Sequence, residues 1–587
     1  MEDEDDIPTP YISTENNPIR HHGVSNVVGS LGRQGFHMPP SRRGENQARS
    51  LVFSDNLDNN SLYTSSTPRL NTDIDDEGEA AILEEGIFAP SEPQRELNER
   101  NALLALNSNA YGSTSRVSSA SRVSRNPWTS TGDSLHTTVL FELKLLVVNS
   151  IPLAITFFLQ YSLIMASFFN VGHLGKLELG AVSLGAMTSS ITGIAFVQGM
   201  STCLDTLCSQ AYGAGRPDLV GLYFQKGVLL VLIGLFPILV LWYNASTVLR
   251  YIVADEPDSE KLLQLATKYL RVMIFAMPGY TLFECGKRFL QAQNIFHAST
   301  IILVICAPLN ILLTYVLVWN KHIGMGFVGA PLAVAITDNL LAILFVLYVV
   351  FFDGKKCWNG FTWKVFRNWA PLVQLAIPGL IMIESEFLAY EVMTLAASYL
   401  GTTDLAAQTI LSSITSLAYE IPFAVGCAAS TRVATLIGSG MPSAARLAAG
   451  VASAVAVTIG ALDATIIMIF RKSLTSFFSN DETVIAIASK YVYLCAFMHF
   501  FDATAAVLAG IIRGQGRQRI GGYINFSCYY IIGVPAGLLL CFKYGYGLPG
   551  IWIGFNSALI AVVIASLLAL RASNWSHYVR VANSRDA

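Results

Sequence analysis

The chain has 587 residues, of which 52% are hydrophobic and 13% charged, with a mean hydropathy of +0.47 and a formal net charge of −3. This balance excludes an ordinary soluble globular protein and puts most of the chain in lipid. The small net charge gives no basis for a nucleic-acid partner, and nine cysteines without a CxxC pair read as small apolar packing residues rather than metal ligands or a disulfide framework.

Residues 1–137 depart from that character. They are rich in Ser, Asn, Arg, Asp and Glu, open Met1-Glu2-Asp3-Glu4-Asp5-Asp6, and contain no sustained apolar run. Such a segment buries too little surface to offset its ordering entropy, so a disordered cytosolic tail is expected. It offers no apolar h-region, so no cleavable signal peptide is expected and the first span serves as insertion signal. Arg116-Val117-Ser118-Ser119-Ala120-Ser121-Arg122-Val123-Ser124-Arg125 sets serines among arginines, where phosphates would reverse the local charge. A regulatory segment and a plain linker whose bases help fix topology both fit it.

From about Leu145 onward, apolar stretches of roughly twenty residues follow one another, the length a helix needs to cross the hydrocarbon core. They read as spans at 145–169, 178–206, 221–243, 266–286, 298–319, 327–352, 371–399, 405–430, 446–470, 488–511, 519–542 and 548–571. The expectation is an all-α integral membrane protein of twelve transmembrane helices in two six-helix lobes. The lobes cover 138–352 and 371–572, with a cytosolic connection at 353–370 and a cytosolic tail at 573–587.

The lobes repeat each other. Ile151-Pro152 followed by Leu174-Gly175 returns 226 positions later as Ile377-Pro378 followed by Leu400-Gly401. Glu178-Leu179 returns as Asp404-Leu405, and after one slipped residue Gly213 meets Gly438 and Pro217 meets Pro442. Lys268-Tyr269 and Phe275 return as Lys490-Tyr491 and Phe497. Six spans is an even number, so both halves enter the membrane in one direction and form a parallel repeat about the membrane normal, with a binding site between them.

Basic residues set the orientation. With the amino terminus in the cytosol, the inner loops hold Arg216, Lys287, Arg288, Lys355, Lys356, Lys364, Arg367, Arg432, Arg446, Arg513, Arg517 and Arg519, while the outer loop 244–265 carries Asp255, Glu256, Asp258 and Glu260. The positive-inside rule then puts both termini in the cytosol. The sequon Asn244-Ala245-Ser246 falls outside, and those at Asn59 and Asn574 fall inside.

Charge within the spans is expensive and points to function. The acids are Asp205, Glu284, Asp338, Glu384, Glu386, Glu391, Glu420 and Asp502; bases are nearly absent, Lys226 lying near a helix end from which it can snorkel. An excess of carboxylates suits a proton-coupled or cation-handling transporter, since an incoming cation favours loss of a proton held in low dielectric. Asp205, Glu284 and Asp338, near helix ends or alone, read first as structural groups. The seventh span carries three acids in Ile383-Glu384-Ser385-Glu386-Phe387-Leu388-Ala389-Tyr390-Glu391. At about 100° per residue Glu384 and Glu391 share a face and Glu386 points away from it, so periodicity leaves open which acid faces a cavity.

Leu204-Asp205-Thr206-Leu207-Cys208-Ser209-Gln210-Ala211-Tyr212-Gly213-Ala214 is close to the E-T-L-C-G-Q-A-Y-G-A stretch of the multidrug and toxic compound extrusion (MATE) antiporters. Val171-Gly172-His173-Leu174-Gly175, Ser430-Thr431-Arg432-Val433 with Ala444-Ala445-Arg446, and Arg513-Gly514 leading to Tyr529-Tyr530 and Gly533-Val534-Pro535 extend the match. The chain thus resembles a eukaryotic, fungal-like member of that family from about 145 to 572. The resemblance implies Glu386, five residues before Glu391, as the central proton or cation site, with Glu391 as the second glutamate of that pair and Asp502 as partner in the tenth span. It matches Tyr419 and Pro422 to a Tyr-x-x-Pro bend and marks Glu420 as a departure bearing on substrate charge. Many bacterial members carry an aspartate in the first span where this chain has Ser167, which concentrates coupling in the second lobe. His499, one turn before Asp502, is a candidate proton relay or a packed core histidine.

The expectation is therefore a monomeric secondary transporter, without cofactor or metal, that exports or sequesters organic cations, drugs or metabolites against protons. Two lobes alternate access, and proton and substrate compete for Glu386 and Asp502. The vacuolar membrane is the favoured address, the plasma membrane the second. A lipid-linked-precursor flippase of the wider superfamily would call for a cavity lined with Arg and Lys. A membrane receptor would leave the repeat and the buried acids unexplained. No HExxH, nucleophile elbow or P-loop suggests an enzyme or an ATP-driven pump.

Overall fold

The computed structural model describes residues 137–250, 259–479 and 481–586. The expected tail with its Arg116–Arg125 stretch and Asn59 sequon lies outside them save for Thr137, as do Asp255, Glu256 and Asp258 of the acidic loop.

In the first lobe, α1 (Val139–Gly172) begins at Thr138, whose hydroxyl oxygen accepts the Phe141 backbone N–H and so caps the first turn. α2 (Lys176–Ser189), a π-helical turn (Ser190–Ile194) and α3 (Ala195–Gly213) make the second crossing, and α4 (Pro217–Tyr243) the third. After the short α5 (Ala245–Leu249), the fourth crossing is split into α6 (Ser259–Met273) and α7 (Met277–Ala292). α8 (His297–Trp319) and α9 (Gly329–Phe351) complete the lobe. Turns at Lys355–Cys357 and Trp363–Phe366 lead to the second lobe. There α10 (Ala370–Ser398), α11 (Thr402–Gly438) and α12 (Pro442–Ile469) precede the short α13 (Arg471–Phe478) and the long α14 (Glu482–Gly514). α15 (Gln518–Ser527) and α16 (Val534–Leu538), joined and followed by π-helical turns, form one crossing, and α17 (Leu548–Arg571) is the last. α18 (Trp575–Asp586) packs on the ends of α11 and α12.

Eleven described helices are long and apolar enough to cross a membrane. The expected twelfth, 266–286, is present as α6 and α7, each too short alone. Pro278 sits in the first turn of α7, where it lacks the N–H needed to continue α6. Pro152, Pro378 and Pro422 instead stay inside continuous helices.

The lobes meet along α3, which packs on α10 and α11, and along α1, which packs on α11 and α12. Small residues allow this close approach, since lipid supplies no hydrophobic drive between helices. A Cβ on Gly213 would strike the Thr435 carbonyl, and one on Gly438 would strike that of Gln210. The repeat-equivalent glycines thus face each other. Beyond them Gly215 (φ 71°) and Gly440 (φ 76°) turn the chain into the first-turn prolines Pro217 and Pro442.

Polar bonds hold the same end. Ser439 Oγ donates to the Gly213 carbonyl at 2.9 Å, Thr206 Oγ1 to that of Arg513 at 2.6 Å, and Gln210 Nε2 to that of Gly514 at 3.2 Å. Arg432 grips Glu142 through two nitrogens, Nε lying 2.8 Å from Oε2. All these bonds lie in the half of the molecule nearer Thr137 and Asp586, so the lobes are sealed there.

Candidate functional site

Glu386 and Tyr390 stand one turn apart on α10. Across from them are Tyr419 of α11, Asp502 of α14 and Tyr529 of the π-helical turn before α16, each within electrostatic range of Glu386. Glu386 is half-buried and Asp502 is 2% exposed. Neither makes an ion pair with a lysine or arginine among the described residues, and Arg513, paired with Asp205, lies within electrostatic range of Glu386. Two carboxyls with no lysine or arginine in direct contact, ringed by three phenols, form a site that can hold protons or a cation.

A second row runs outward from Asp502. His499 is fully buried, with Nδ1 3.9 Å from Asp502 Oδ2 and Nε2 3.4 Å from Asp463 Oδ2 on α12. No ring nitrogen makes a well-aligned hydrogen bond, nor do these two carboxylate oxygens. Asp463, His499, Asp502 and Glu386 therefore link α12, α14 and α10.

The first lobe is built differently. Glu284 receives Lys287 Nζ at 2.6 Å, Arg288 Nη1 at 3.0 Å and Gln160 Nε2 at 3.0 Å. Asp205 lies 3.2 Å from Arg288 Nε and 3.9 Å from Arg513 Nε of the other lobe. Glu420 of α11 is half-buried and looks across the lobe boundary at Tyr161 and Lys287. Asp338 is buried in α9 within electrostatic range of Glu284 and Tyr269, and Ser167 is buried with no hydrogen-bond partner for its hydroxyl among the described residues.

A family model described as MatE matches residues 152–316 and 378–539, one stretch in each lobe. The chain belongs to the MatE family. An uncharacterized transporter of Schizosaccharomyces pombe is 41% identical over 75% of this chain and 81% of its own. Multidrug and toxin extrusion protein 1 of Rattus norvegicus is 31% identical over 74% and 76%. The crystal structure of a eukaryotic MATE transporter matches with a TM-score of 0.71 and 28% identity over 76% of this chain and 98% of its own. The protein is a multi-pass membrane transporter rather than an enzyme.

In this MatE chain the acids of the seventh span part company. Glu386 joins Asp502 and Tyr419, whereas Glu384 lies beside Tyr530. Glu391, half-buried, has no hydrogen bond or ion pair among the described residues. Asp205 belongs to the ion-pair network and not to the Glu386 site.

The expectation that bases are nearly absent from the spans is corrected. Lys287, Arg288 and Arg513 are buried within α7 and α14, and Arg432 is 11% exposed on α11, although all four read as loop residues. The helices run past their apolar stretches, and acids brought by folding compensate the bases. Lys226 also departs from expectation: it is 5% exposed, and its Nζ donates to the Asn368 carbonyl at 3.3 Å. Sequence reasoning passed over Asp463, a lone acid in Leu462-Asp463-Ala464 of an expected span, and met Tyr390 and Tyr529 only within longer motifs without assigning either to the site.

Proposed function

We propose that this MatE transporter is an antiporter that exchanges protons for organic cations or metabolites, with Glu386 and Asp502 as its coupling pair. The observation that carries the reading is their company: two neighbouring carboxyls that no lysine or arginine pairs with directly among the described residues, Arg513 reaching Glu386 only at longer range, while Asp205 and Glu284 of the other lobe are matched to Arg288, Arg513 and Lys287. A proton on the pair and a cation beside it compete, so each promotes release of the other. The half-buried Glu384, Glu391 and Glu420 add negative character that favours cationic substrates. The rat relative's name, multidrug and toxin extrusion, supports a drug-like range. With Lys287, Arg288, Arg432 and Arg513 tied to acids, the protein offers little to a pyrophosphate-bearing lipid precursor, which disfavours a flippase. Sealed at one end, the lobes suit one half of an alternating-access cycle. We assign a monomer to the vacuolar membrane, with its termini in the cytosol by the distribution of basic residues; a tagged protein in cells tests that address against the plasma membrane.

The test is the purified full chain in liposomes, with movement of a fluorescent organic cation followed under imposed gradients. A pH gradient is expected to drive it and a sodium gradient alone is not. Glu386→Gln and Asp502→Asn keep size and hydrogen-bonding capacity but fix the charge at zero, so gradient-driven movement is lost with insertion intact. The double variant is little worse than either single one, because residues that act as a unit are non-additive. Wild-type, pH-sensitive transport by Glu386→Gln would refute the coupling pair.

A further inference from the structure

The connection between the lobes, residues 352–369, is held firmly yet turns its bulkiest side chains outward. Its inner side is pinned to α4: Gln225 Nε2 donates to the Gly360 carbonyl at 2.9 Å, and Lys226 Nζ reaches that of Asn368. A Cβ on Gly221 would strike the Cys357 carbonyl, so the segment lies directly on that helix. Cys357 is fully buried there, and burial pushes its thiol up to about 12. A run of rings leads outward from Phe289 through Phe224 and Trp358 to Phe361, with centroids 4.9, 6.2 and 5.2 Å apart.

At the outer side that support stops. Phe361 is 89% exposed, Trp363 86% and Phe366 62%. Lys355, Lys356, Lys364 and Arg367 are exposed on the same stretch. The acid of the segment, Asp353, spends its carboxylate on the Gly354 N–H at 2.8 Å. Because the segment joins the ends of two crossing helices, α9 and α10, it lies at the level of the bilayer surface. Aromatic rings with flanking bases match that layer, where rings sit among the headgroups and cations meet anionic lipid.

We propose that residues 352–369 are a docking surface for anionic phospholipid at the bilayer face on the side of the chain termini. Phe361, Trp363 and Phe366 enter the acyl boundary, and Lys355, Lys356, Lys364 and Arg367 bind the phosphate and carboxylate groups of the headgroups. The surface is independent of the Glu386 site and does not rest on proton coupling. It links the lobes, so lipid held there touches the one covalent connection that rocking must accommodate.

The experiment reconstitutes the full chain into phosphatidylcholine vesicles containing an equal fraction of brominated phosphatidylserine or brominated phosphatidylcholine, and reads tryptophan quenching. The brominated anionic lipid is expected to quench severalfold more strongly, and Trp363→Phe to remove most of that difference. Replacing Lys355, Lys356, Lys364 and Arg367 together by Gln should equalise the two lipids while leaving quenching in place. Sodium phosphate should compete no better than sodium chloride of matched ionic strength. Equal quenching of the wild type by both lipids overturns the proposal. So does selective competition by phosphate, which would mark a soluble-anion site, and so does a Trp363 shielded from both lipids, which would mark a protein partner or second copy. Should Trp363→Phe fail to insert, the wild type against the fourfold Gln variant still decides the matter.

Discussion

Asp205 and Glu386 carry the same signature, an acid inside an apolar span, and fold into opposite circumstances. Asp205 is clasped by Arg288 and Arg513, so removing its charge takes from Arg513 its ion-pair partner and leaves Arg288 with Glu284 as its one acid among the described residues. Asp205→Asn is expected to cost about 3–5 kcal/mol of stability, read as lower yield and a lower unfolding midpoint in detergent. Glu386→Gln strands no base and should leave both readings near wild type. Asp463→Asn keeps the side chain's size but removes one of two charges beside His499. It should slow transport by up to about tenfold, or about 1.4 kcal/mol, and alter its pH profile at normal protein yield. An unchanged profile would leave Asp463 as packing alone. Sequence could single out Glu386 and Asp502 because span position and a family interval converge on them. It could not tell that Glu284 meets Lys287 and Arg288, because a base ending an apolar run reads as the start of a loop. Only the helix's continuation past that run brings the charges together.

Helix lengths and the repeat were legible because lipid demands long apolar runs of a narrow length range. The interruptions were less so. Pro278 splits the fourth crossing, whereas Pro152 and Pro422 leave their helices whole, and nothing local to these prolines separates the outcomes. Pro535 lies just past a π-helical turn at Cys528–Gly533, in the first turn of α16. Where α3 and α11 cross, the requirement is for absence of a side chain. Gly213→Ala puts a methyl group into the Thr435 backbone and should hold the seam open. Initial transport rate is expected to fall steeply while the amount of inserted protein stays normal, and Gly438→Ala should do the same from the other lobe. Wild-type rates in both would show that this crossing need not close.

For the molecule as a whole, the Glu142–Arg432 pair joins the first helix of one lobe to the second helix of the other, with Glu142 2% exposed. Breaking it leaves the buried Glu142 without its ion-pair partner, held among the described residues by the Thr137 hydroxyl alone, and penalises the sealed arrangement by about 3–5 kcal/mol. Arg432→Ala should therefore shift the population toward opening on the side of the termini. A cysteine introduced as Ser439→Cys would then react faster with an impermeant thiol reagent, and the exchanged pair Glu142→Arg with Arg432→Glu should slow it again. Equal labelling rates in all three would remove the pair from the seal. The seam has one more implication. Gly213 and Gly438 are counterparts in the repeat and touch each other's helix, the arrangement two identical subunits make across a two-fold axis. The contact therefore has the form of a half-length unit paired with itself, so a side chain added at either glycine strikes the same seam, once from each lobe. The two lobes nonetheless differ in their acids: Asp205 and Glu284 are tied to bases, whereas Glu386 and Asp502 make no direct pair with a lysine or arginine among the described residues.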